Sequence, residues 1–323
     1  MIASSPAAVH RPRTTALAGV LILAATGITL VLWASAFVGI RYTVTWFSPG
    51  ALALLRGGVA TFLMTAIWLF ASRRGGTSPR LPERHEWPWY LLFGFLSVVV
   101  YNVALNMGER TVTAGTASFL ITQIPVVSTV LAAVLIGERT SRLGAVGIGV
   151  GILGTLVMLL ADQEGLQVNV GTALVLAAVV GESLYFVLGH GMLTRQGPLR
   201  FNVFVAIPGT LMLLPWTGEL ITTLRTAPAQ AIWVAVYLGV FPTCLAFLLW
   251  SYCLSRSSVS RTTAAVYLLP FLTVLIAAVW LTEWPSPQSL IGGLIALCGG
   301  VVIHIAKRSK PTFLSSQAQR GED

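Results

Sequence analysis

Apolar stretches of about twenty residues, parted by short polar breaks, run along nearly the whole chain. A helix needs about 20 predominantly apolar residues to cross a hydrocarbon core roughly 30 Å thick. Ten stretches meet that need: 16–39, 50–71, 89–108, 113–136, 143–161, 170–190, 201–217, 231–254, 262–282 and 288–306. All are predicted as helices, because lipid offers backbone groups no partner and the sequence lacks the alternation of a membrane barrel. The longest break, Ser72 to Trp87, carries Arg73, Arg74, Gly75, Gly76, Pro79 and Pro82 and reads as a loop. Residues 1–15 and 307–323 are polar tails. The first run is longer than a signal-peptide core and is expected to be retained. The predicted fold class is an all-α polytopic membrane protein with ten transmembrane helices.

Composition agrees. Of 323 residues 55% are hydrophobic and 10% charged, with mean hydropathy +0.82. Soluble domains carry roughly 25% charged residues, so this chain lacks the surface of a soluble enzyme or nucleic-acid-binding domain. Its net charge of +9 has another source. With the N-terminus inside, sixteen of the twenty Lys and Arg side chains fall on the cytoplasmic side. Only Arg41, Arg110 and Arg225 fall outside, and Arg56 lies within the second span. That bias places both termini in the cytoplasm. Cys244, Cys253 and Cys298 fall in apolar runs without metal or disulfide spacing, and no metal or cofactor is expected.

The chain also matches itself. A shift of 145 residues aligns Gly94 with Gly239, Pro125 with Pro270, Glu138 with Glu283, Gly147 with Gly292 and Gly154 with Gly299. Proline and glutamate are less common here than glycine, so their shared register carries more weight than that of the glycines. The unit is five helices (16–161, then 170–306). An odd unit makes the second copy enter the membrane from the opposite side, giving two inverted five-helix repeats, an arrangement suited to alternating access.

The residues Trp33-Ala34-Ser35-Ala36-Phe37, Pro49, Arg56, Ala117, Pro125, Glu138-Arg139, Pro270 and Glu283 resemble the EamA type of the drug/metabolite transporter superfamily. The resemblance runs from about residue 17 to 306. It implies ten helices in two inverted halves of a cell inner-membrane carrier that moves small metabolites such as amino acids, with efflux the expected direction. Glu182 departs from the family pattern, which has a small or aromatic residue there.

Ionisable groups inside spans are costly and mark site candidates. Glu182, midway along the sixth span, suits a substrate ammonium or a transported proton; its alternative is a structural carboxylate. Arg56, about two turns past Pro49, suits a substrate carboxylate, or a structural ion pair with Glu182. Ser118, Thr122, Pro125 and Thr129 share one helix face, as do Thr263, Tyr267 and Pro270. Two such polar stripes, each interrupted by proline, suit a central cavity; interhelical bonding with a packing kink is the alternative. Tyr101, Asn102 and Asn106 give the third span an inward polar face. Trp33, Tyr185 and Trp250 are candidate aromatic walls. Pro125, Pro270, Glu138 and Glu283 are candidate hinge or gate positions; the two glutamates sit at helix C-termini, where an anion needs compensation. Glycines of the fifth and tenth spans permit close packing, within one chain or in a homodimer.

No H-E-x-x-H, G-x-S-x-G or Walker-A sequence occurs, so neither a membrane hydrolase nor an ATP-driven pump is indicated, and no run resembles a selectivity filter. The expected function is secondary transport of amino-acid-like solutes by alternating access, with proton exchange through Glu182. An uncoupled facilitator or an uptake permease is the alternative.

Overall fold

The computed structural model describes residues 16–74, 81–137, 141–160, 170–256 and 265–308, and among them no strand forms. Helix ends fall at residues chosen for ending or starting helices. Helix α1 (Ala16–Thr43) turns into α2 (Pro49–Arg74), where the Ser48 hydroxyl accepts from the Ala51 N–H at 3.3 Å. Thr113 caps α5 (Ala114–Ile121) by accepting from Thr116 N–H at 3.1 Å, and Ser141 caps α7 (Arg142–Leu159) through Gly144 N–H at 3.1 Å.

The third apolar stretch departs from a plain α-helix. Between α3 (Trp87–Phe93) and α4 (Tyr101–Gly108) the chain winds as a π-helix over Gly94–Val100. The wider turn weakens the usual carbonyl pairing, and the Asn102 amide compensates by donating to the carbonyls of Ser97 (3.0 Å) and Val98 (2.9 Å). The same device recurs between α11 (Ala229–Leu238) and α12 (Ala246–Arg256): a π-helix over Gly239–Leu245, with the Thr243 hydroxyl donating to Leu238 O at 2.8 Å. Losing two side-chain-to-backbone bonds should cost about 1–2 kcal/mol. Asn102→Leu is therefore expected to lower the Tm in detergent, and an unchanged Tm would show that these bonds do not hold the π-segment.

The fourth stretch is broken at Thr122–Gln123, and α6 (Ile124–Ile136) restarts with Pro125 in its first turn, ending at Gly137 with φ +68°. In the ninth, a 3-10 turn over Ala265–Leu268 leads into α13 (Leu269–Trp280), again with proline, Pro270, in the first turn. There the missing N–H costs nothing. The expected single polar face over Ser118, Thr122, Pro125 and Thr129 is therefore divided between two helices. Each of its hydroxyls donates to a carbonyl of its own segment, Ser118 to Gly115 (2.7 Å), Thr122 to Phe119 (2.6 Å) and Thr129 to Pro125 (2.7 Å).

Among the described residues, seven helical stretches have the length and hydropathy to cross a bilayer. A further pair, α9 (Pro198–Met212) with α10 (Thr217–Thr226), passes together but is bent by 49° near Leu213–Trp216. The fifth and ninth expected spans fall on shorter apolar helices, Arg142–Met158 and Ala265–Trp280. At 1.5 Å per residue each is shorter than the hydrocarbon thickness. Large apolar side chains such as Leu23, Phe62, Val134, Trp233 and Val279 point outward, and each is at least 70% exposed, as a surface facing lipid requires. This is a multi-pass membrane protein.

Small residues line the contacts between helices. The seam between α7 and α14 (Pro287–Arg308) is the closest. A Cβ added to Gly154 would stand 2.5 Å from Gly292 O and 2.7 Å from Ala296 Cα, and one on Gly299 would stand 2.6 Å from Gly147 O. Elsewhere α1 packs on α11, α12 and α13, while α8 (Val170–Gln196) packs on α4, α5 and α6. The first π-segment lies on α9 and the second on α2.

Candidate functional site

A chain of charged groups joins one end of the bundle to its interior. At the end of α1, Arg41 donates from Nε to Glu283 Oε1 at 2.9 Å, pairs through Nη2 with the same oxygen at 2.9 Å, and donates from Nη1 to the Glu109 carbonyl at 2.6 Å. The other Glu283 oxygen accepts from Ala114 N–H, at 3.4 Å, the first residue of α5. Glu283 lies in the loop after α13, past Thr282 at φ 54°. The compensation expected for this carboxylate thus comes from Arg41, 242 positions earlier, and from the donor end of α5. Its repeat mate Glu138 lies outside the described residues.

Glu109, just past α4, is fully buried, and among the described residues neither carboxylate oxygen has a hydrogen-bond partner. Sequence reading passed over it, because position 109 lies in a break between apolar runs. The available signal was its spacing: Asn102, Asn106 and Glu109 stand at i, i+4 and i+7 on one helix face. Burial pushes this carboxyl well above the usual carboxylate range; Arg56 and Arg41 oppose the shift and Glu283 adds to it. A raised carboxyl keeps its proton in the folded state after the unfolded chain has lost its own, so stability falls as pH rises through that window. Glu109→Gln should flatten this slope and melt at least as high as the parent near neutral pH. A lower neutral Tm would contradict it.

Arg56 is 7% exposed, and its Nε and Nη1 find no acceptor among the described residues. It lies within electrostatic reach of Tyr101 and Glu109. The structural alternative of an Arg56–Glu182 ion pair is not found: no such pair within 4.0 Å occurs among the described residues. Glu182 instead lies within interaction reach of Ser97 in the first π-segment, and its Oε2 is buried without a partner among the described residues. Tyr101 feels both Glu182 and Arg56. Four groups from three stretches of chain, Arg56, Ser97, Tyr101 and Glu182, thus gather in the interior.

Other expected site residues fall into separate places. Trp33 and Trp250 meet with ring centroids 5.0 Å apart, and Trp33 Nε1 donates to Pro242 O, in the second π-segment, at 3.2 Å. Tyr185 belongs to a packed aromatic cluster, stacked on Phe201 at 5.9 Å and donating to Asn202 Oδ1 at 2.8 Å. Asn102 and Thr122 spend their donors on local backbone. Tyr267 stands edge-on to His304 at 6.4 Å and against Gly300. Pro125 is exposed and Pro270 buried, each at a helix start. A cleft of about 440 Å³, lined by Ser35, Gln230, Trp233, Val234, Tyr237 and Trp280, contains none of these residues.

Comparison with known proteins fixes the family. The EamA-like transporter family matches twice, at residues 17–160 and 169–305. A "Probable terminal-alkyne amino-acid exporter" of Streptantibioticus cattleyicolor is 35% identical over 277 residues, covering 86% of this chain and 91% of that protein. "Uncharacterized transporter YdfC" of Bacillus subtilis is 33% identical over 279 residues, covering 86% and 89%. A crystal structure that is 20% identical shares the fold, with a TM-score of 0.56 over 91% of this chain and 99% of the other. With most of its length matched by one family and its relatives named as transporters, the chain belongs to the EamA-like transporter family.

Proposed function

We propose that this membrane transporter is a secondary carrier of amino-acid-like metabolites, built from ten spans in two inverted five-helix repeats (16–161 and 170–306). It works by alternating access in the direction of export, in the cell inner membrane with both termini cytoplasmic. The observation that carries the reading is the packing pattern. Contacts between the two segments recur with their roles exchanged: α1 lies on α13 as α8 lies on α5 and α6, and the second π-segment lies on α2 as the first lies on α9. The two π-segments begin at glycines 145 residues apart, the same interval that separates Pro125 from Pro270. Two equivalent halves exchanging conformations is the simplest physical basis for alternating access.

In this reading Arg41 and Glu283 close the outer end. Arg56, Tyr101 and Glu182 form the centre of the substrate path, with Trp33 and Trp250 as an aromatic wall. The named exporter among the relatives supports both the solute class and the direction.

Counterflow in proteoliposomes, loaded with a mixture of amino acids and related metabolites, tests it. Exchange of a specific solute is expected, and an imposed pH gradient should accelerate it. Acceleration that survives in Glu182→Gln would remove that carboxylate as the proton carrier. Exchange indifferent to any gradient would make the protein an uncoupled facilitator. Absence of exchange by folded protein would overturn the carrier reading.

A further inference from the structure

Among the described residues, three charged side chains within electrostatic reach of Tyr101 keep buried atoms without a partner: Arg56, Glu109 and Glu182. The guanidinium of Arg56 has two donor nitrogens, Nε and Nη1, and the carboxylate of Glu182 has one oxygen, that are unengaged among the described residues. Both are within electrostatic reach of Tyr101, yet they do not pair with each other. Other charges nearby do not fill the gap. Arg41 is held by Glu283 and the Glu109 carbonyl, and Arg110 reaches only the Phe47 carbonyl at 3.4 Å. Glu109 offers Arg56 a counter-charge at a distance but leaves its donors open.

Leaving buried charged groups unpaired is strongly unfavourable, so a ligand that satisfies both ends gains what the empty site lacks. A simple anion would satisfy Arg56 and leave Glu182 open; a simple amine would do the reverse. A zwitterion serves both and leaves the net charge of the interior unchanged. We infer that Arg56 and Glu182 are the two poles of a headgroup site for an α-amino acid. The Arg56 donors take the carboxylate and the open oxygen of Glu182 takes the ammonium, with Tyr101 within electrostatic reach of both. This assignment rests on the amino-acid reading above and adds to it a strict demand: both charges of the headgroup are read, by different residues.

The test uses the full chain in proteoliposomes. Apolar L-amino acids are screened by counterflow, and the best exchanged is compared with its amide, which lacks the carboxylate, and its N-acetyl derivative, which lacks the ammonium. Each derivative is expected to compete roughly 10- to 100-fold more weakly, as loss of a charge-assisted hydrogen bond implies. In Arg56→Gln the parent amino acid and its amide should become equivalent while the N-acetyl compound stays rejected. Glu182→Gln should show the reciprocal pattern, and Arg56→Lys should restore part of the preference over the amide. Competition by either derivative within about threefold of the amino acid overturns the two-pole site while leaving amino-acid transport standing. A variant that loses both discriminations together overturns it as well. Exchange of no amino acid at all by the parent overturns the amino-acid reading itself, and the site with it. Should a variant not fold, the parent's selectivity between the two derivatives still decides.

Discussion

Arg41→Gln is expected to open the Arg41 end of the protein. The native guanidinium makes three charge-assisted contacts there, two to Glu283 and one to the Glu109 carbonyl. Glutamine keeps a hydrogen-bonding head but loses the charge and the fork that grips a carboxylate. The side chains are partly exposed, 26% and 18%, so screening discounts the pair. An effect of about 1–2 kcal/mol, or roughly a 5- to 30-fold shift of population, is expected. Ala117, fully buried one turn inside α5, is a suitable reporter. A cysteine placed there, in a background without Cys244, Cys253 and Cys298, should react faster by that factor with a membrane-impermeant maleimide. Glu283→Gln should do the same, and the double variant should add little, because both changes break one interaction. An unchanged labelling rate would show that something else holds this end shut.

Gly154→Ala is expected to destabilise the fold, unlike a methyl added to α7 at a glycine with open space. Its new Cβ would meet backbone, Gly292 O at 2.5 Å and Ala296 Cα at 2.7 Å, and backbone cannot rotate out of the way. Forced overpacking costs about 1–3 kcal/mol. Gly149→Ala supplies the internal comparison: nothing lies within 4 Å of its Cβ. There, helix propensity should stabilise by up to about 1 kcal/mol. Thermal unfolding in detergent should therefore separate the two variants in opposite directions from the parent. Equal melting temperatures would mean that the α7–α14 seam is not close-packed in the protein.

The apolar runs were readable because lipid imposes a length on them, and the 145-residue interval was readable because proline and glutamate are less common in this chain than glycine. What escaped reading has a common cause. Both π-segments hide inside runs that look like ordinary spans; the local hints are Asn102 and Thr243, the polar residues that serve their carbonyls, and Pro242 inside the second segment. The break at Thr122–Gln123 is equally silent, with Pro125 its single local sign. Arg41 and Glu283 each stand out as charges at the ends of spans, but no local pattern says that residues so far apart will meet. Glu109 was missed because a polar residue between two apolar runs is read as solvent-facing, whereas here the neighbouring helices fold over it. Tyr185 shows the converse: an aromatic residue one turn from Glu182 reads as part of the same site, yet packing draws it into the Tyr90, Phe93 and Phe201 cluster.

The glycine seam has a mechanical meaning. Most helix contacts tolerate movement because side chains can change rotamer and repack. Where α7 meets α14, main chain rests on main chain, so there is little to repack and sliding is blocked at every tooth. One of these helices belongs to each family-matched segment. In the alternating-access reading, rocking of the segments is expected to turn about this line as about a fulcrum, with the smallest displacement beside it and the largest at the distant rim. Cys298, exposed on α14 and close to Gly299, is thus a built-in stationary mark from which the travel of every other part can be measured.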